Sequence, residues 1–578
     1  MSAEERVSVR RGAGGAAGEE PAVGEGAAGH AGARDGAVLR AHRILLGVCC
    51  AFALLSAVLV PLTLPLGWDE LVYASRYSPY GPATPFSAPR TRGVPLLIAP
   101  VALWSDSVVL LRVWLTLLST AALYLGFRPW LRVAYQPSVA PVAAALYGGL
   151  WITLFYASAA MPNHYTAMGA VGAVGLFVRS RQTPLTYAGV AAGVALATLM
   201  RPNDGFAIGL PLLLAALLVP AWRGRGRVTA VLGGLAAGAL PWAVEAYVRF
   251  GGVRERLTEA SEVQGDLRPL LSFVHHLTVM DGPLLCRPCD NDGIRPVAAE
   301  WWLLLSFLVA VGLWALRRGP AVGSGGGSGS GPAARQDLRQ DLRQDLQQDL
   351  REDRQQILRQ DRRQDRRQIL RQDLRQPDGP RIPTIALPLL TALAIALPYL
   401  LLVPYAAPRF LLPTHALLAP TAALGLLTLL GHARAFRPRW AGVVVPGLVL
   451  GGHLAVQVLL AHGNATIQAG ARGDWTRIAE ALERHGVGNG SRSGSDTDDP
   501  CVLDGNTAVI PLAHVAGCAP GGSAGGSEGG SEGGSEGDPR EPDALVLRRA
   551  APPHWARDWP HHAVPGTYAS GWVIHVRP

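Results

Sequence analysis

The stretch ILLGVCCAFALLSAVLVPLTLPLGWDE, from Ile44 to Glu70, decides how the chain is read. Its apolar part, Ile44 to Gly67, is long enough to cross a hydrocarbon layer of about 30 Å. It follows Arg34, Arg40 and Arg43, and no small-x-small cleavage site ends it, so it reads as a retained signal anchor. Two carboxylates, Asp69 and Glu70, emerge directly from it.

The rest of the chain repeats the pattern. Hydrophobic residues are 49 % of the 578 and charged residues 16 %. A soluble globular chain carries roughly 25 % charged residues. Residues 1–42, 317–382 and 462–578 hold 59 of the 95 charged residues, and the remaining 353 residues hold only 36. That partition excludes an ordinary cytosolic enzyme, a nucleic-acid-binding domain and a small disulfide scaffold as readings of the whole chain. The net charge is +9 and every basic residue is Arg, as a GC-rich genome gives. Those arginines sit mostly in short loops and one repetitive tract, not on one folded basic surface.

Further apolar runs lie at about 106–127, 138–160, 163–179, 185–200, 205–222, 228–250, 300–316, 383–403, 409–430 and 440–461. The expected fold is therefore an all-α polytopic membrane protein of about eleven transmembrane helices. Gly93 to Trp104 is too short to span and reads as a re-entrant or interfacial helix. With a cytoplasmic N-terminus, every inside loop is basic: Arg128 and Arg132; Arg179 and Arg181; Arg223, Arg225 and Arg227; Arg317 and Arg318; Arg434, Arg437 and Arg439. The positive-inside rule asks for this pattern. The outside segments then receive almost all the acidic residues of the membrane part, and the C-terminal region.

Five regions follow: a cytoplasmic tail 1–42 too polar to fold, core segments 43–316 and 383–461, a low-complexity cytoplasmic insert 317–382, and an extracytoplasmic α/β domain 462–578. Residues 335–376 repeat Arg-Gln-Asp-Leu, whose period of four stacks like charges and makes no apolar seam, so a solvated insert is expected. Gly323–Gly331 and Gly525–Gly537 read as flexible inserts. In the last region a short amphipathic helix starts at Asp474-Trp475, and Cys501–Leu503, Ala544–Leu547 and Trp572–Val576 read as strands. Cys501 and Cys518 are expected to pair as a disulfide.

The first outside loop carries the chemistry. After Asp69-Glu70 come Tyr73, Tyr77 and Tyr80, then Pro89-Arg90-Thr91-Arg92-Gly93-Val94-Pro95. A carboxylate at the low-dielectric boundary suits a general base, and paired arginines suit a phosphate. The same residues could equally mark a solvated loop anchored to head groups. Order and spacing, with Arg201-Pro202 and Arg409-Phe410-Leu411-Leu412-Pro413, resemble the GT-C superfamily of membrane glycosyltransferases, which use sugars carried on polyprenyl phosphate. The resemblance covers residues 43–316 and 383–461. Where the glycolipid-anchor mannosyltransferases of that superfamily place a basic-acidic pair, this chain has Tyr405-Ala406-Ala407-Pro408.

The resemblance implies a multi-pass cell-membrane enzyme that moves a mannose-like sugar from a polyprenyl-phosphate donor to a glycan or lipid acceptor. It makes Asp69 the base and Glu70 the alternative base or an acceptor-binding residue. Arg409, with Arg90 or Arg92, would hold the donor phosphate. With arginines in that role no metal is required, although a divalent cation would be compatible. His164, Arg201 and Asp204 are further substrate-binding candidates, with a structural Arg201–Asp204 pair as the simpler account. Glu245 reads as an ion pair with Arg249. His275-His276 with Cys286-x-x-Cys289 could hold zinc, but a disulfide in the outer loop is preferred. Asp290-Asn291-Asp292 resembles the acidic motif of soluble sugar-nucleotide transferases. The rival reading is a transporter or flippase for lipid-linked sugars; against it, the polar residues crowd the outer ends rather than the midplane.

Overall fold

The computed structural model describes residues 24–578 except 82, 134–135, 180, 267, 288, 290–294, 319–380, 434–440, 489–499 and 522–540. The Arg-Gln-Asp-Leu tract, both glycine-rich inserts, Arg434, Arg437, Arg439 and Asp290-Asn291-Asp292 lie outside the described residues.

The first run forms α1 (Gly24–Leu59). It stops short of Gly67 because Pro61 and Pro65 supply no amide hydrogen and disfavour helix before them. The chain turns again at α2 (Trp68–Ala74), where the Gly67 amide donates to Glu70 Oε2 at 2.7 Å. A short helix α3 (Gly93–Ala102) follows; ten residues reach only about 15 Å. Then come α4 (Val108–Phe127), α5 (Trp130–Val133), α6 (Val139–Gly148), α7 (Trp151–Tyr156), α8 (Asn163–Phe177), α9 (Pro184–Met200) and α10 (Pro202–Leu218). The core continues through α11 (Arg225–Arg249), α12 (Val253–Val263), α13 (Phe273–Thr278), α14 (Pro296–Arg318), α15 (Arg381–Leu401), a 3-10 turn at Pro408–Leu411, α16 (Leu412–Ala433) and α17 (Ala441–Arg484).

Among the described residues, seven helices are long and apolar enough to cross a membrane: those of α1, α4, α11, α14, α15, α16 and α17. The other four expected spans are shorter. The run 138–160 breaks at Gly149 and Leu150 into α6 and α7, and the Trp151 amide leaves the helix to donate to Gln457 Oε1 at 2.9 Å. Large apolar side chains such as Leu117, Leu217, Leu303 and Leu459 are more than half exposed, the pattern of a lipid-facing belt. α8 lies at the centre, with all its residues but Leu176 buried. α14 and α16 meet backbone to backbone, since a Cβ on Gly425 would stand 2.0 Å from the Leu308 carbonyl oxygen.

The last span and the amphipathic helix expected after it are one continuous helix, α17, of 44 residues. Its final turns enter the core of a small sheet, where Ile478 and Leu482 pack with Leu503, Val546 and Ile574. The sheet comprises β1 (Val502–Gly505), β2 (Ala519–Pro520), β3 (Ala544–Arg548), β4 (His561–Ala563) and β5 (Trp572–Val576), in the order β2-β1-β3-β5-β4. β1 pairs parallel with β2 and β3; β5 runs antiparallel to β3 and β4. Helix α18 (Val509–Ala516) connects β1 to β2. Cys501 and Cys518, at the two ends of that unit, are disulfide-bonded.

Candidate functional site

Asp69 occupies the first turn of α2 and keeps 27 % of its side chain exposed. Arg90 Nη2 donates to its Oδ1 at 2.9 Å and Arg409 Nη2 to its Oδ2 at 3.4 Å. Arg90 is 6 % exposed and Arg409 11 %, so the carboxylate is the most open member of the trio. Each arginine is set by its own surroundings. Arg90 sits in the turn before α3, where Arg256 Nη2 donates to its backbone carbonyl at 2.8 Å and Ser87 Oγ accepts from its Nε at 3.3 Å. Arg409 sits in the 3-10 turn and donates through Nη1 to the Leu284 carbonyl at 3.0 Å and to the Tyr156 hydroxyl at 3.3 Å. The loop that supplies Leu284 is tied to the segment before Arg409, because the Cys286 amide donates to the Ala406 carbonyl at 3.0 Å. Cys286 and Cys289 are disulfide-bonded, so neither offers a thiolate to a metal.

Glu70, the next residue on α2, is 3 % exposed. Arg112 Nη1 and Nη2 donate to its two oxygens at 3.1 Å each, Arg472 Nη1 at 3.2 Å, and the Ala160 amide at 2.9 Å. Burial pushes its carboxyl up, but Arg112, Arg472 and the hydrogen bonds outweigh burial and hold it down at about 2. Arg112 also donates to the Leu64 and Pro65 carbonyls, in the segment after α1, at 2.8 and 3.0 Å, and to the Ser158 carbonyl, just after α7, at 3.0 Å. Arg112 and Arg472 were not singled out from the sequence. The signal for Arg112 was present, an ionisable residue inside an apolar span. Arg472 carried none, since a polar helix outside a span ordinarily shows arginines.

The remaining candidates divide. Arg92 does not reach Asp69; its guanidinium pairs with Glu245, which also takes Arg256 at 3.1 Å and Arg249 at 3.4 Å. Arg201 pairs with Asp204 at 3.3 Å, and the Tyr399 hydroxyl donates to Asp204 at 2.6 Å. Arg201 nevertheless borders the site: its guanidinium carbon lies 5.1 Å from the Phe410 ring, to which that of Arg409 lies 5.4 Å. His164, a substrate-binding candidate from the sequence, is 1 % exposed inside the core. Its Nδ1 meets the Tyr147 hydroxyl at 3.2 Å and its Nε2 the Ser119 carbonyl at 3.0 Å, which leaves no nitrogen for a substrate. Among the described residues no group of three or more His, Cys, Asp and Glu side chains is placed to hold a metal ion.

No family model matches the chain, and no curated protein matches it. Solved structures do. ArnT from Cupriavidus metallidurans bound to undecaprenyl phosphate superposes with a TM-score of 0.52 at 12 % identity, over 91 % of this chain and 97 % of that one. Its apo form gives 0.47 at 11 % identity, over 91 % and 96 %. The archaeal oligosaccharyltransferase AglB from Archaeoglobus fulgidus, in complex with an inhibitory peptide and a dolichol-phosphate, gives 0.42 at 12 % identity. That match covers 82 % of this chain, which spans only 64 % of the length of AglB. At such identity the likeness to ArnT is one of fold alone, and it agrees with the helical membrane architecture that the sequence resemblance implied.

Proposed function

We propose that this GT-C-fold chain is an integral membrane glycosyltransferase that moves a sugar from a polyprenyl-phosphate donor to an acceptor hydroxyl with inversion. The observation that carries the reading is the partly open Asp69 carboxylate between Arg90 and Arg409. The fold neighbour ArnT was solved with undecaprenyl phosphate, which supports a lipid phosphate as the donor class.

In this scheme the donor phosphate competes with Asp69 for Arg409, with Arg201 beside the same Phe410 ring as a second cation. Its arrival hands Asp69 an unpaired oxygen. The acceptor hydroxyl attacks the anomeric carbon from the face opposite the phosphate and gives its proton to Asp69. The bond between the anomeric carbon and the phosphate oxygen breaks, and the lipid phosphate leaves with the electron pair. Arg409 and Arg90 stabilise the growing charge, so the arginines can do what a metal would otherwise do. Glu70, with both oxygens already taken, acts as a fixed support rather than a base. The basic loops of the sequence support an N-terminal tail in the cytoplasm, with Asp69 and the C-terminal sheet outside. The transferred sugar is mannose-like by the sequence resemblance, and the acceptor is a glycan or lipid.

The test is transfer by purified full-length protein from a panel of polyprenyl-phosphate sugars that includes mannose. Asp69→Asn should lower turnover by about 10²–10⁴-fold, the usual share of a general base, while the protein still inserts. Normal turnover by that variant, with Glu70 intact, would sink the assignment. A transporter would instead carry the lipid across liposomes and form no glycosylated product.

A further inference from the structure

Asp69 and Glu70 are consecutive on α2, so whatever fixes Glu70 also fixes the turn that aims Asp69. Two partners of Glu70, Arg112 and the Ala160 amide, belong to the helical body. Arg472 does not. It projects from the far part of α17, 402 residues away in sequence, and also donates to the Pro65 carbonyl. Its guanidinium lies flush against the backbone entering α2: a Cβ on Gly67 would stand 2.7 Å from Arg472 Nη2. Arg472 thus touches the loop at three points, Pro65, Gly67 and Glu70.

Two residues later, about 200° around the helix, Asp474 is 1 % exposed. Its carboxylate accepts the amides of Tyr568 and Ala569, in the connection between β4 and β5, at 2.6 and 2.8 Å. The Tyr568 ring packs where a Cβ on Gly470 would stand 2.6 Å from it. The turn from Gly470 to Asp474 is thus gripped by the loop of Asp69 on one side and by the C-terminal sheet on the other.

We propose that Arg472 is a positioning residue for Asp69, and that the C-terminal sheet sets it through Asp474. The inference rests on the glycosyltransferase reading of the same site and deepens it: the appended domain holds the base in register. Displacement chemistry is sensitive to such placement, since a misplacement of about 1 Å can cost about 100-fold in rate.

The experiment uses the full chain in lipid nanodiscs, with two readouts on Arg472→Met, Arg472→Lys, Asp474→Asn and the double variant Arg472→Met/Asp474→Asn. The first is amide hydrogen exchange over residues 67–75. The second is the split between kcat and donor KM with the polyprenyl-phosphate sugar that the wild type uses. Arg472→Met should raise exchange at 67–75 without raising it in α8, and lower kcat by about 10–100-fold with donor KM within about 3-fold. Arg472→Lys should recover part of both losses. Asp474→Asn should act in the same direction more weakly, and the double variant should be no worse than Arg472→Met alone. Unchanged exchange at 67–75 in Arg472→Met overturns the proposal, as does full additivity of the two substitutions. If the wild type transfers no sugar while the exchange pattern appears, the glycosyltransferase reading fails and the mechanical link stands. If the wild type transfers sugar and Arg472→Met changes neither readout, only the positioning role fails.

Discussion

Asp69 and Glu70 share a turn and a chemical group, yet their surroundings give them opposite properties. Asp69 is the more exposed of the two, with two guanidinium partners, whereas Glu70 is buried under two arginines and two backbone amides. The linkage sign for Glu70 follows from its folded-state value of about 2, below the ordinary 4.5. Its contribution is fully present above pH 4.5 and is lost as the pH falls from there towards 2. Glu70→Gln should therefore destabilise the protein by about 3 kcal/mol at pH 7. The gap to wild type in thermal unfolding should shrink by more than about half by pH 3. A gap that stays constant over that range would mean the ion pairs do not hold the loop. The sequence made Asp69, Arg90 and Arg409 legible because each is a charge at the end of an apolar run, where solvation alone does not demand one. It did not tell Arg90 from Arg92, two residues apart. Only the fold brings Glu245 to Arg92, across a separation of 153 residues.

At the scale of elements, apolar run length located every long helix, because a span must satisfy its own backbone and bury its side chains in lipid. It did not reveal where helices break or continue. Gly148-Gly149 interrupts an apolar run because Gln457 and Met280 accept the Trp151 backbone and indole donors. The glycines of α17 at 463, 470 and 473 interrupt nothing. The crossing of α14 and α16 yields a sharper expectation. Gly312 and Gly425 let the two backbones touch, and α16 is the continuation of the turn that bears Arg409. Gly425→Val should force the helices apart, cost at least about 1–3 kcal/mol by overpacking, and sharply reduce the monodisperse yield in detergent. Gly447→Ala in α17, where a Cβ meets nothing within 4 Å, should be tolerated or slightly stabilising. Equal yields from both variants would refute the close crossing.

For the molecule as a whole, every partner named at the site comes from the two halves of the helical body or from α17. The tract at 335–376 lies outside the described residues, and its sequence reads as a solvated insert. Its deletion, with 319–334 and 377–380 kept as the connection, should leave kcat/KM for transfer within about 3-fold of wild type, the spread expected of a solvated insert. A larger loss would assign the tract a role in the site. The sequence showed the C-terminal sheet only in outline, because β2 and β4 are too short to carry a periodic signal. Nor did it show that α17 runs unbroken into that sheet. At 1.5 Å per residue, 44 residues make a rod of about 66 Å, and Arg472 stands about 47 Å from its start. A hydrocarbon layer is only about 30 Å thick. The rod is thus a ruler with one graduation pinned to the loop of Asp69. On the proposed lipid-phosphate donor, bilayer thickness should therefore tune the rate: the lipids would set the height of the phosphate, while the protein sets the height of Asp69.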